Sequence, residues 1–320
     1  MSDRSTDTAH PGGAQLITYA DRLASDLPGL RRLLDEQLDG VFSGVHVLPF
    51  FVPIDGADAG FDPIDHSAVD PRIGTWDDIA ALAADHDVMA DLIVNHVSAE
   101  SEPFLDWLAN GDDSAYADMF LTPERVFGHE PRADELAVIH RPRPTSPFTG
   151  FGFADGRHRM VWTTFTDRQV DIDVEHELGW NHLLGILDRF HTGGVTIVRL
   201  DAVGYAIKRA GTSCFMLPET FDFIDRLTAA CHERGMRVLV EVHGHYRDQV
   251  ALATRVDLVY DFALPPLVLD ALYRGDATAL EQWIAIRPTN TVSVLDTHDG
   301  IGIVDVGGDP HDPRRVGLLN

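Results

Sequence analysis

The sequence predicts an α/β fold, a (β/α)8 barrel of the TIM type, and three observations carry that expectation. Seven short runs rich in Val, Ile and Leu recur along the 320 residues: 15–21, 44–50, 88–94, 196–202, 238–244, 258–264 and 291–299. Most lack strict polar alternation, as parallel strands do when both faces are covered. Between them lie helical patterns such as 76–85, 180–190 and 218–234, the last with Phe221, Ile224, Leu227 and Cys231 at helical spacing. Alternating β and α patterns mean a parallel sheet, and seven such strands favour a barrel over an open sheet.

One interval breaks the rhythm. From His96 to about Phe165 the chain turns loop-like, with prolines, aromatics and the string His140-Arg-Pro-Arg-Pro144. Such an excursion is too long for a plain connection between strands. The expected organisation is therefore residues 1–95 for strands one to three, 96–165 for a small domain inserted after strand three, and 166–320 for strands four to seven. The eighth strand is expected past Asn320, so that the barrel reads as truncated after about strand seven.

Composition excludes several classes. Hydrophobic residues make up 44% and charged residues 24%, an ordinary globular balance that argues against disorder. No stretch reaches the roughly 18 apolar residues of a membrane span, and residues 1–13 are polar without an apolar signal core. Cys214 and Cys231 have no metal-ligand spacing and are too few for a disulfide framework. A cytoplasmic enzyme fits these facts. Fifty-one acids face 25 bases, a formal charge of −26, which repels nucleic acid and anionic membrane. Lys208 is the only lysine. An anionic ligand would need a local cluster of arginines against this background.

In barrels, polar residues at the C-terminal ends of strands are the functional candidates. Strand three ends Asp91-Leu-Ile-Val-Asn95-His96, strand four Arg199-Leu-Asp201, strand five Glu241-Val-His243 and strand seven His298-Asp299. Each string alone is weak; all four in this order at successive strand ends are specific. Together they resemble the signature segments of the α-amylase superfamily. Segments 15–22, 55–66, 170–173, 210–216 and 260–266 extend the resemblance to its sucrose phosphorylases, over residues 14–308.

That resemblance implies retaining transfer of a glucosyl unit from sucrose to inorganic phosphate, giving α-glucose 1-phosphate and fructose without a cofactor. A retaining reaction needs a carboxylate nucleophile and a second carboxyl group roughly 5–5.5 Å away that acts as acid and then base. Asp201 is the nucleophile candidate, and Glu241 the acid/base. Arg199, two residues before Asp201, points to the same side of its strand and would keep it ionised. By resemblance, Asp299 is the third carboxylate and His96 and His298 hydrogen-bond the sugar. Asp58 closes the donor pocket, Phe61 offers it an apolar face, and Tyr205 forms its wall. Asn95 resembles a calcium-binding residue of some amylases, but a structural hydrogen-bonding role is expected here.

Arg143 and His243 are the candidates for the phosphate, since the guanidinium fork matches phosphate oxygens. His140 departs from the tyrosine usual before Arg-Pro-Arg in the family and leaves the acceptor side open. The competing expectations are phosphorolysis of sucrose 6'-phosphate, glucosylglycerol or glucosylglycerate; a hydrolase or transglucosidase; and an inactive truncated barrel, because the resemblance implies a donor-pocket arginine and a C-terminal β-domain past residue 320. A homodimer is compatible with all of these.

Overall fold

The computed structural model describes residues 13–56, 58–294, 300–308 and 317–319. One sheet holds seven parallel strands in sequence order: β1 (Ala14–Thr18), β2 (Phe42–Val47), β3 (Asp87–Ile93), β4 (Ile197–Asp201), β5 (Arg237–Val240), β6 (Leu258–Asp261) and β7 (Thr291–Ser293). It curls to fill seven of the eight strand positions of a (β/α)8 barrel. Among the described residues β1 and β7 are its edges.

The continuous apolar runs arise because both faces are buried. Register pairs Ile197 with Met89 and Arg199 with Asp91, so alternate residues of neighbouring strands share a face. Met89, Ile197, Leu239 and Tyr260 form an apolar layer on the inner face. On that same face, one step toward the C-terminal ends, stand Asp91 and Arg199, followed by Asp201. The other face carries Val88, Ala90, Leu92, Val198, Leu200, Val238 and Val240, packed into the main core with the helices. Each Val or Leu among them contributes about 1.5–3 kcal/mol by burial.

The helices begin where local chemistry allows. α1 (Leu27–Glu36) starts at Asp26, whose carboxylate accepts the Gly29 N–H at 2.6 Å. α2 (Trp76–Ala83) starts with a capping box of Thr75 and Asp78. α3 (Glu177–Thr192) buries Leu183, Ile186, Leu187 and Phe190 at helical spacing. α4 (Pro218–His232) opens with proline in its first turn and buries Phe223, Ile224, Leu227 and Cys231. Phe223 lies deeper than Phe221, which is half-buried at the margin of the core.

Strand five is shorter than its sequence pattern. It stops at Val240 because the chain then bends away, and the Gly244 N–H is taken by the Asp305 carboxylate at 3.2 Å instead of a neighbouring strand. Between β3 and β4 the chain builds a hairpin, Phe148–Gly152 with His158–Trp162. His96–Ser98 pairs antiparallel with Gln169–Asp171 at its base. Trp107 and Phe120 stack there with centroids 5.1 Å apart, inside the same apolar core as the sheet.

His66 carries a pH dependence of stability. Its Nε2 lies 3.0 Å from the Asp91 carbonyl oxygen, its ring packs against Phe51, and burial lowers its pKa to about 4. The unfolded chain binds a proton there near pH 6.5, whereas the folded chain resists it. Stability is therefore full above about pH 6.5 and falls toward pH 4, by at most about 1.4 kcal/mol per pH unit for this one group. Urea unfolding midpoints from pH 7 to 4 should fall less steeply for His66→Gln, which cannot take up that proton. An identical slope in the variant would assign the acid loss to other groups.

Candidate active site

A cavity of about 820 Å³ lies at the C-terminal ends of the strands. β4 delivers Asp201 to it, the segment after β5 delivers Glu241 and His243, and the loop after β2 delivers Asp58 and Phe61. His96, Tyr205 and Arg143 complete the set of sequence candidates along its wall. Asp299 and His298 lie outside the described residues.

Arg199 organises the floor. It is buried, and its Nη1 donates to Asp201 Oδ1 at 2.9 Å and to Asp91 Oδ1 at 2.6 Å. Its Nη2 lies 3.9 Å from Glu241 Oε1. Burial alone would lower its pKa, but the carboxylates of Asp91, Glu241 and Asp201 outweigh that and hold it charged well above the usual arginine value. One guanidinium thus reaches both Asp201 and Glu241 at the floor of the cavity. Asp91, fully buried, is held in turn by His46 Nε2 at 2.9 Å. Its desolvation is overcome by His46 and Arg199, which keep it ionised far below the ordinary carboxylate range.

Ala202, directly after the Asp201 strand end, has φ +56°. That left-handed turn costs about 1 kcal/mol for a residue with a Cβ and swings the chain into the short turn Val203–Tyr205. Tyr205 then faces Phe165 edge-on at 5.1 Å and leans on Phe215 at 4.7 Å. Burial, with a smaller contribution from Glu241, pushes its phenol pKa well above the usual value, so it stays a neutral hydroxyl. His140 stacks on Phe215 at 4.5 Å.

The opposite wall hangs on a residue that the motif reading passes over. Gln169, buried, donates through Nε2 to Asp58 Oδ2 at 2.9 Å and to the Phe61 carbonyl at 3.3 Å. The same nitrogen lies 3.0 Å from His96 Nε2, which is itself 2.9 Å from the Phe61 carbonyl oxygen. Burial lowers the His96 pKa, leaving a neutral ring. Gln169 immediately precedes the 170–173 segment, and that adjacency was its one sequence signal. Phe61 stands with its ring centroid 5.7 Å from the Arg199 guanidinium carbon. Asp58 also meets Arg143 Nη2 at 3.4 Å, both side chains partly exposed.

Asn95 and the single lysine explain each other. Lys208 Nζ donates to Asn95 Oδ1 at 2.9 Å and to the Tyr205 carbonyl, and lies 2.8 Å from Asp171 Oδ2. An ammonium therefore joins three oxygens from separate segments beneath the cavity. Among the described residues no group of three His, Cys, Asp or Glu is placed to hold a metal ion, and no helix is long and apolar enough to cross a membrane. Cys214 and Cys231 are free and buried.

The family model of the alpha-amylase catalytic domain matches residues 25–219. The chain belongs to the alpha-amylase family. Within that family it is 56% identical over 306 residues to a sucrose phosphorylase of Agrobacterium vitis, covering 95% of this chain and 62% of the relative. It is 53% identical to a sucrose phosphorylase of Bifidobacterium adolescentis, covering 95% and 60%. The sucrose 6F-phosphate phosphorylase structure from Thermoanaerobacter thermosaccharolyticum superposes with a TM-score of 0.88 at 39% identity, over 94% of this chain and 63% of that one. The chain spans about 60% of the length of the curated relatives it matches.

Proposed function

We propose that this alpha-amylase family member transfers the glucosyl unit of sucrose to inorganic phosphate with retention of the α configuration. The observation that carries the reading is the shared guanidinium of Arg199, with Asp201 at 2.9 Å and Glu241 at 3.9 Å on the cavity floor. In the first step an Asp201 oxygen attacks the glucosyl anomeric carbon while the bond to fructose breaks. Glu241 gives its proton to the departing fructosyl oxygen. In the second step a phosphate oxygen attacks the same carbon, the Asp201 ester bond breaks, and Glu241 takes up the proton from the phosphate. Two inversions at one carbon return the α-anomer.

The donor-side roles follow the wall: His96, Asp58 and Phe61 receive the glucosyl unit, with Tyr205 opposite. Asp299 and His298 keep the donor-site roles assigned by resemblance. We assign 96–165 as a domain inserted between strands three and four, its base extended by the ribbon to Asp171. The test is direct. Sucrose and phosphate incubated with the whole protein should yield fructose and α-glucose 1-phosphate in equal amounts, whereas glucose release independent of phosphate would replace phosphorolysis with hydrolysis. Formation of β-glucose 1-phosphate, seen by NMR, would remove the retaining mechanism.

Arg143 supplies the cation at the acceptor side. Its pairing with Asp58 joins two partly exposed side chains at 3.4 Å, worth at most about 1 kcal/mol. The guanidinium is therefore readily given up to a dianion. Arg143→Ala should raise the KM for phosphate about tenfold, the loss of one charge-assisted contact. It should also shift the product balance toward glucose, because water needs no cation. An unchanged phosphate dependence would return Arg143 to a plain loop role.

A further inference from the structure

His243 sits between two carboxylates, and only one of them belongs to the cavity. Its Nε2 lies 3.5 Å from Glu241 Oε1, and its Nδ1 lies 3.2 Å from Asp305 Oδ2. Asp305 is fully buried and is the fixed member of the pair. Its Oδ1 accepts from the Gly244 N–H at 3.2 Å and from Gln249 Nε2 at 2.9 Å. The His243 ring is pressed flat on Phe262, with centroids 4.0 Å apart and planes 17° off parallel. A Cβ placed at Gly302 would come within 2.9 Å of Asp305 Oδ2 and 3.5 Å of His243 Nδ1, so backbone closes over the pair. None of this is set by the strand-end strings. Asp305 comes from the loop after strand seven, 62 residues beyond His243.

An ionised carboxylate can only accept hydrogen bonds. Held by two donors and buried, Asp305 requires His243 to present a proton on Nδ1. The neutral ring then carries its lone pair on Nε2, facing Glu241 and the cavity. The stacking on Phe262 fixes the plane of the ring, and the contact with Asp305 selects the edge that carries Nδ1. This is the arrangement by which a buried carboxylate fixes both the tautomer and the direction of a histidine.

We infer that Asp305 is a positioning residue: it fixes His243 as the Nδ1-protonated tautomer and aims Nε2 at the acceptor side of the cavity. The inference rests on the phosphorolysis reading for its consequence, though not for its geometry. With the imidazole so held, Nε2 can accept a hydrogen bond from a protonated oxygen of the incoming phosphate and so orient it, while the proton transfer itself stays with Glu241. Water as acceptor makes less use of that contact. Asp305 thereby favours phosphate over water without touching either.

Imidazole ¹⁵N NMR on the whole protein above the His243 titration reads the tautomer directly, with His243→Gln identifying the signal. An Nδ1-protonated neutral ring is expected in the unmodified protein. Asp305→Asn can donate as well as accept at this point, so it should yield a tautomer mixture. It should also raise the phosphate KM about tenfold, the loss of one charge-assisted orienting bond. The turnover number for fructose release should change less than KM, and that split separates positioning from general damage. If Asp305→Asn fails to fold, Gly302→Ala crowds the same pair with the charge intact and should displace the same ¹⁵N signal. An Nε2-protonated neutral ring in the unmodified protein overturns the inference, as does an unchanged phosphate KM in folded Asp305→Asn. An Nδ1-protonated ring in a protein with no phosphate dependence upholds Asp305's hold on His243 and removes the phosphorolysis reading instead.

Discussion

Asp201→Asn is expected to lower sucrose turnover by about four orders of magnitude or more, because the amide cannot form the covalent glucosyl intermediate. The fold should survive the change. The Asn oxygen can still accept from Arg199 Nη1, and Arg199 keeps its 2.6 Å bond to Asp91. The guanidinium therefore does not become an unpaired buried charge, which would otherwise cost several kcal/mol. The measurement is fructose release at saturating sucrose, with thermal unfolding as the control for structure. A residual rate above about a hundredth of the unmodified protein would mean that another group attacks the sugar, and Asp201 would then be only the partner of Arg199. Loss of turnover together with loss of the folded state would shift the weight to the Arg199 cluster as a structural device.

The same cluster marks what could be read from sequence. Strands β1 to β7 were visible because burial on both faces forces runs of Val, Ile and Leu, and the strand ends were visible because polar residues interrupt those runs abruptly. Arg199 and Asp201 share a face by simple alternation, so their contact follows from spacing two residues apart. Asp91, in contrast, joins Arg199 across 108 residues. By sequence alone its carboxylate is one more member of a strand-end string; the strand register sets it beside the guanidinium. Gln169 and Asp305 were invisible for a different reason. Both act from segments beside the strand ends, where no periodicity links a residue to its partner, and neither residue type is diagnostic alone. In the sequence Lys208 stands out only as the single lysine. Its place among Asn95, Asp171 and the Tyr205 carbonyl depends on the segment before β4 folding back beneath the cavity, which no local pattern encodes.

Glu241→Gln should separate the two halves of the reaction. Sucrose has a poor leaving group, and the departing fructosyl oxygen must be protonated as its bond breaks, so its turnover should fall by about a thousandfold. α-Glucosyl fluoride leaves as fluoride without a proton, and its loss should stay within about tenfold. The amide keeps the size of Glu241 and can remain near Arg199 Nη2 and His243 Nε2, which lie 3.9 and 3.5 Å from the carboxylate oxygen. Its neutral side chain removes one counter-charge from Arg199, but Asp91 and Asp201 remain bonded to it. The variant therefore tests proton supply more than architecture. Equal losses for the two donors would take Glu241 out of the acid role. A proton donor would then have to be sought among the other cavity groups, where burial holds the Tyr205 hydroxyl neutral.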